Sequence, residues 1–380
     1  MRWSAIPILA MLCGSALDAA EPVDVAPSLK VINSVGREGT GNSEAAKAWA
    51  ELVKAGPDAL FPILNAIADD KPTGANWLRT AVDAIAEKHA ATGGKFGSDK
   101  LAKFVANRKG SPTARAVAYD LLRKEDAGKA LELLPSFLDD PSVELRREAV
   151  KHLFTRETTI NRLPEIATLQ GLFAAARDKD QVEAIAKELK NQKQAPDLTK
   201  HFGYITQWSV SGDFDNKDGV GFQKAYPPET AAEGKGWKAA QSSAVYGEVD
   251  LNKVVGKKMN AVGYAAAVLV ADADTPAEIR VASPNAVKIF VNGKEVFGRD
   301  AYHHGTAMDQ HLAKVQLTQG KNTILLKVCQ NDMPYEWAHT WGFAARVCES
   351  TGGSLKLKQL VDDKPVLLGD LAPAEPKETK

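Results

Sequence analysis

The spacing of apolar residues changes once along this 380-residue chain, and that change limits the fold more than any other feature. Before Pro196, apolar side chains recur at the steps of an amphipathic helix. After it they alternate one by one, as in a strand with one buried face. The reading is α and β in separate domains: an α-helical domain over residues 42–195 and an antiparallel β-sandwich over residues 200–353. The chain is long enough for each domain to bury its own core.

In the first half, Ser43 is expected to cap a helix with Trp49 and Leu52 inward. Pro57 opens the next, which carries Leu60, Ile63, Leu64 and Ile67. Further helices are expected over 77–89, 100–107, 113–123, 127–138, 142–154, 163–176 and 181–190. A pattern of Arg with apolar residues behind it recurs three times. It reads Arg79, Ala81, Val82 and Ile85, then Arg115, Val117, Ala118 and Leu121, then Arg147, Ala149, Val150 and Leu153. The arginines stand 36 and 32 residues apart, a helix-pair period. The run from Ala130 to Val150, with its Leu138-Asp139-Asp140-Pro141 turn, resembles a HEAT repeat. That resemblance implies an α-solenoid in which Asp140 and Arg147, echoed by Asp70 and Arg79, form a charge ladder. A stacked array of this kind presents a long surface suited to a macromolecular partner.

In the second half, strands are expected over 205–210, 246–250, 261–270, 277–283, 287–291, 314–317, 322–330 and 341–347. Asn292-Gly293 marks a tight hairpin, because such a turn needs positive φ at both positions. Trp208 to Asn216, Gly221-Phe222 and Tyr226 to Glu229 resemble the opening of a secreted, planctomycete-type jelly-roll domain. Tyr264, Val287 to Gly293, Leu317 to Val328 and Trp341 to Arg346 continue the likeness over about 150 residues. Such domains are similar to galactose-binding-like and carbohydrate-binding modules and are usually non-catalytic, which implies a glycan or cell-wall component as partner. Asp213 stands where the motif has Pro, and Ser283-Pro284-Asn285 replaces a more acidic turn. A cation or ligand that depends on that turn is therefore not carried over.

The ends of the chain bear on location. Arg2, the apolar stretch Ile6 to Cys13 and the small residues Gly14 to Ala20 read as a signal peptide, residues 1–20, ahead of a linker at 21–41. Lipoprotein processing at Cys13 is the alternative, although Leu12 stands where a small residue is required. The stretch is shorter than the ~20 residues that span a bilayer, so no integral membrane segment is expected after signal removal, and the protein should be secreted or periplasmic. Residues 354–380 are expected to be a tail, disordered at its Pro-, Glu- and Lys-rich end. In an oxidising compartment Cys329 and Cys348 either pair as a disulfide or lie as two separately buried thiols.

The 48 basic and 48 acidic residues balance, which argues against nucleic acid as a partner. Asp213, Asp215 and Asp218 lack calcium-loop spacing, since Lys217 occupies a ligand position. His303, His304, Asp309 and His311 would serve a metal-dependent hydrolase only if the 303–311 loop folded back on itself. No cofactor or metal is expected, nor do Gly-x-Ser-x-Gly, phosphate-loop or His-Glu-x-x-His signatures occur. The loop aromatics Tyr302, Tyr335 and Trp337 are the candidate ligand-binding residues, because pyranose rings stack on exposed aromatic faces. Trp208, Trp341 and Phe343 lie on strands and are expected in the core. Protein–protein scaffolding in a cell-envelope assembly is the rival reading, and exposure or burial of the loop aromatics separates the two.

Overall fold

The computed structural model describes residues 24–159, 162–230, 236–361 and 364–368. The expected signal peptide and the end of the tail lie outside the described residues. Packing divides the chain into two compact units, one ending at Leu133 and the other beginning at Leu134.

The described residues of the first unit are helical. Its longer helices are Asn42–Ala55, Leu60–Ala66, Pro72–Ala91, Ser98–Ala106 and Pro112–Glu125. Leu52, Leu60, Ile63, Leu78 and Leu101 are fully buried, each at the apolar period that marked its helix. Ser111 caps the helix that begins at Pro112, its Oγ accepting from Ala114 N at 3.1 Å. Ser43, by contrast, lies inside its helix, whose N-cap is Gly41 at φ +85°. The segment expected as a linker contains the helix Ala26–Ile32. Ile32 is fully buried, and Asn33 Nδ2 donates to Ala66 O at 3.0 Å.

The expected ladder residues Asp140 and Arg147 both lie in the second unit. Arg147 reaches forward to Asp178 at 3.2 Å and Asp180 at 2.6 Å. Asp140 is fully buried; its carboxylate accepts from Ser142 N, and its carbonyl accepts from the Arg146 guanidinium. In the first unit Asp69, next to the expected Asp70, receives both the backbone N–H and the hydroxyl of Thr113.

The second unit begins with the helices Val143–Thr159, Ile166–Ala175, Lys179–Asn191 and Leu198–Phe202. Antiparallel strands follow: β1 (Gln207–Asp215), β2 (Lys238–Gln241), β3 (Val249–Asp250), β4 (Ala261–Ala271), β5 (Thr275–Ala282) and β6 (Ala286–Val291). They continue as β7 (Lys294–Arg299), β8 (His311–Leu317), β9 (Gly320–Gln330), β10 (Gly342–Cys348), β11 (Lys358–Val361) and β12 (Lys364–Leu367). One sheet runs β12-β11-β4-β9-β6-β7, with β1 sharing the edge of β4 with β11 and carrying β2. The other runs β3-β10-β5-β8. Asn292 and Gly293 join β6 to β7 at φ +51° and +80°, the positive pair the hairpin requires.

Both sheets point alternate residues into one core, as a β-sandwich does. Val287, Ile289 and Val291 meet Ile324, Leu326 and Val328, with Trp208, Trp341 and Phe343 among them. The outer faces are covered as well. Tyr264, Phe290, Leu325 and Cys329 cluster with Phe222 and Tyr226 over the larger sheet. Over the smaller one, Leu153, Leu172, Ile185 and Leu189 from the helices share a cluster with Ala282 and Ala344. The boundary expected near residue 195 therefore falls inside one packed unit. The start of the expected tail is likewise part of the fold, since β11 pairs with β4.

Period 2 also decides the cysteines. Cys329 lies on the outer face of the larger sheet and Cys348 on that of the smaller one, with the core between them. Both are free and buried. Burial pushes the Cys329 thiol up to about 12 and also raises Cys348. The folded protein should resist thiol alkylation near neutral pH. Unfolding without reductant should expose both residues, and peptide mass mapping that found a Cys329–Cys348 bond would overturn this.

His201 packs against Phe173 with ring centroids 4.3 Å apart, and its Nε2 lies 3.0 Å from Ala176 O. Burial, with nearby Arg177 in second place, pushes the imidazole down from 6.5 to about 4. Between those values the unfolded chain binds a proton that the folded chain does not, so stability falls as pH drops through this window. The expected loss is roughly 2–3 kcal/mol, read as Tm against pH, and His201→Gln should flatten that slope.

Candidate functional site

Two loops meet at one end of the sandwich, one between β7 and β8 and one between β9 and β10. The first is held at three points. Tyr302 OH accepts from Asn216 Nδ2 at 3.1 Å, His303 N donates to Pro284 O, and the Asp309 carboxylate receives Arg280 and Arg346. Burial alone would raise the Asp309 carboxyl, but the Arg346 and Arg280 guanidiniums reverse that and hold it below the usual carboxylate range. Burial pushes the Tyr302 phenol up to about 12, so it remains a neutral hydroxyl.

The second loop contains the short 3-10 turn Glu336–His339. Ala338 at its centre is fully buried, and its carbonyl accepts from Gln330 Nε2 at 2.9 Å. Asn285 Nδ2 donates to both Gln330 Oε1 and Thr340 O, while its Oδ1 accepts from Gly342 N. Asn285 and Gln330 are themselves fully buried. With Ala338 pinned inward, its neighbours point out: Tyr335 is 59% and Trp337 62% exposed. Their rings are nearly parallel, 8° apart in plane with centroids at 5.9 Å. His303 from the first loop lies nearly perpendicular to Trp337, with ring centroids 5.3 Å apart, and its Nε2 lies 2.8 Å from Asn331 Oδ1.

The three residues expected to bind ligand thus have two roles. Tyr335 and Trp337 form an exposed, stacked aromatic pair, while half-buried Tyr302 supports the loop that brings His303 to it. Sequence reasoning did not find Asn285 and Gln330. Gln330 did carry a signal: it continues the inward register of Ile324, Leu326 and Val328, where a polar side chain must find partners.

The other clusters disperse. Asp309 faces two arginines, and His303 faces Asn331, while the His304 and His311 rings lie 5.5 Å apart. Burial, His304 and Arg299 together push His311 below its ordinary value. Among the described residues no group of three or more His, Cys, Asp or Glu could hold a metal ion. Asp213 pairs with Lys258 at 2.7 Å, and Asp215 caps Lys217 N. Glu229 receives Lys327 Nζ and the Tyr264 hydroxyl; Glu233 lies outside the described residues.

No protein-family model matches the chain, and no curated protein matches it. Among solved structures, it is similar to a β-glucosidase from Kluyveromyces marxianus at 9% identity and TM-score 0.26, over 63% of this chain and 33% of that one. A PA14 sugar-binding domain from an RTX adhesin aligns at 12% identity and TM-score 0.24, over 43% of this chain and 94% of that domain. A GH31 α-xylosidase from Xanthomonas citri aligns at 12% identity and TM-score 0.19, over 37% of this chain and 16% of the enzyme. The chain spans a third or less of the two glycosidases.

The platform can offer a flat apolar face to a ligand while its supports stay buried. Gln330→Ala would leave the Ala338 carbonyl and one Asn285 amide hydrogen without their present partner. The expected cost is about 1–3 kcal/mol. Amide exchange over residues 335–340 should quicken ahead of global unfolding, and unchanged exchange there would refute the anchoring role.

Proposed function

We propose that the β part of this protein is a glycan-binding module of jelly-roll type, with a saccharide ring lying on the outward face of the stacked Trp337–Tyr335 pair. The exposed, nearly parallel pair carries this reading. The axial C–H face of a pyranose is apolar, and an aromatic face held in place receives it with little loss of freedom. His303 at the rim adds a polar contact for hydroxyls. Two large aromatics on an otherwise polar loop are costly to expose unless something covers them.

The proposal extends to an exported, non-catalytic protein, secreted or periplasmic, whose helices hold a second macromolecule. Repeat-like spacing supports a HEAT-type arrangement within each unit. Lys129 pairs with Asp99 thirty residues earlier, and Arg147 with Asp180 thirty-three residues later.

The test is a glycan array with the purified full chain beside Trp337→Ala, with circular dichroism as the folding control. Selective binding should weaken about tenfold or more in the variant, the worth of one aromatic contact. A folded wild-type protein that binds no glycan would move the reading to a protein–protein scaffold, to be pursued with pull-downs.

A further inference from the structure

The two loops that carry the platform also wall two adjoining clefts. One, of about 590 Å³, is lined by Ser242, Glu248, Asp250, Thr306 and Thr340 among others. The second, of about 510 Å³, is lined by Asp250, Asn252, Lys257, Glu336, His339 and Thr340. Each falls in the ~300–1,000 Å³ range of ligand clefts. Asp250 and Thr340 line both, so the clefts adjoin at those residues. Thr306 follows His303 in its loop, and Glu336 and His339 flank Trp337 in its turn.

The polar groups alternate in character. One Asp250 carboxylate oxygen caps Asn252 N at 3.0 Å. The other has only Lys253 at 3.9 Å, a side chain that is 84% exposed. Asn252 Nδ2 ties the opposite wall through His339 O at 3.0 Å. Lys258 is engaged by Asp213 at 2.7 Å, whereas Lys257 is exposed. Carboxylate acceptors at Asp250 and Glu336 are thus set beside an ammonium donor at Lys257. Both signs are present, with neither in large excess. That suits uncharged hydroxyls, each able to donate and accept, better than a polyanion or polycation.

We infer that these clefts are subsites for further units of a neutral oligosaccharide, so that the site reads a glycan chain rather than a single terminal sugar. This rests on the platform reading above. One ring lies on the stacked Trp337–Tyr335 pair, while further units lie against Asp250, which accepts hydroxyl hydrogens, and Lys257, which donates.

Calorimetric titration of the full protein tests it. The probes are glucose, galactose and N-acetylglucosamine, each as monosaccharide and as linear tetrasaccharide. A tetrasaccharide should bind about tenfold or more tighter than its monosaccharide, as two or three added hydrogen bonds to charged groups would give. Asp250→Asn keeps a capping oxygen for Asn252 N, and Lys257→Ala removes only an exposed side chain. Each should lower tetrasaccharide affinity about five- to tenfold and leave the monosaccharide unchanged. Equal affinity for both lengths, with binding still lost in Trp337→Ala, would overturn the cleft subsites and leave the platform intact. Tighter tetrasaccharide binding that neither variant alters would place the added contacts elsewhere and likewise overturn it. A folded protein that binds none of the six sugars would remove both readings together.

Discussion

The strand Gly342–Cys348 has no solvent face: all seven residues are buried, and much else in the second unit follows from that. Its inward side chains join the core of the sandwich, while its outward ones meet helices and loops. A polar residue placed outward on such a strand must be fully satisfied or the fold loses free energy. Arg346 meets this demand with bonds to Phe202 O, Gly352 O and both oxygens of Asp309. Removing one partner of a buried pair of this kind costs about 3–5 kcal/mol, because the other charge is left behind. The arginine thereby fixes the loop containing Asp309, and with it His303.

The same demand at the end of β9 builds the other half of the site. Gln330 and Asn285 are buried amides that can only be satisfied by each other and by the backbone of the following loop. Their bonds to Ala338 O and Thr340 O set the path of the turn, and the path sets the exposure of Trp337 and Tyr335. Platform and supports are one structure: the apolar rings are outside because the amides are inside. This is why the rings present a fixed surface, and a fixed surface loses less entropy when a ligand covers it.

Much of this was legible in the sequence because period carries information about faces. The alternation of Val287, Ile289 and Val291 named an inner face, the turn chemistry of Asn292-Gly293 named a hairpin, and Trp341 read as core. Polar loops bearing large aromatics pointed to Tyr335 and Trp337. What period could not supply was the second face. The sequence offers no simple sign that the outer surfaces of both sheets are covered, so Cys329 and Cys348 looked like neighbours when they lie on opposite outer faces. For the same reason the change of period near Pro196 marks a change of secondary structure, while the two compact units part at Leu133 and Leu134. The helices before it supply the cover that the smaller sheet needs. The linker reading failed differently: the helix Ala26–Ile32 has seven residues, too short for its period to register, and tertiary contact through Ile32 stabilises it.

Long-range pairing also links successive helices of the second unit. Asp140 caps its own turn, and Arg146 takes its carbonyl. Arg147 is left to reach the acidic pair at the start of the next helix, Asp178 and Asp180. Two adjacent arginines thus divide the work: one satisfies its own turn, and the other couples successive helices. The first bond is buried and local, so it contributes through satisfaction of the backbone. The second is largely solvent-exposed and screened, worth about 0–1 kcal/mol, and its consequence is alignment more than stability. Helices coupled by weak, exposed charges can adjust their packing at little cost, whereas the sheets, fixed by buried amides and guanidiniums, cannot. The exposed aromatic pair is built on the part of the chain that does not yield.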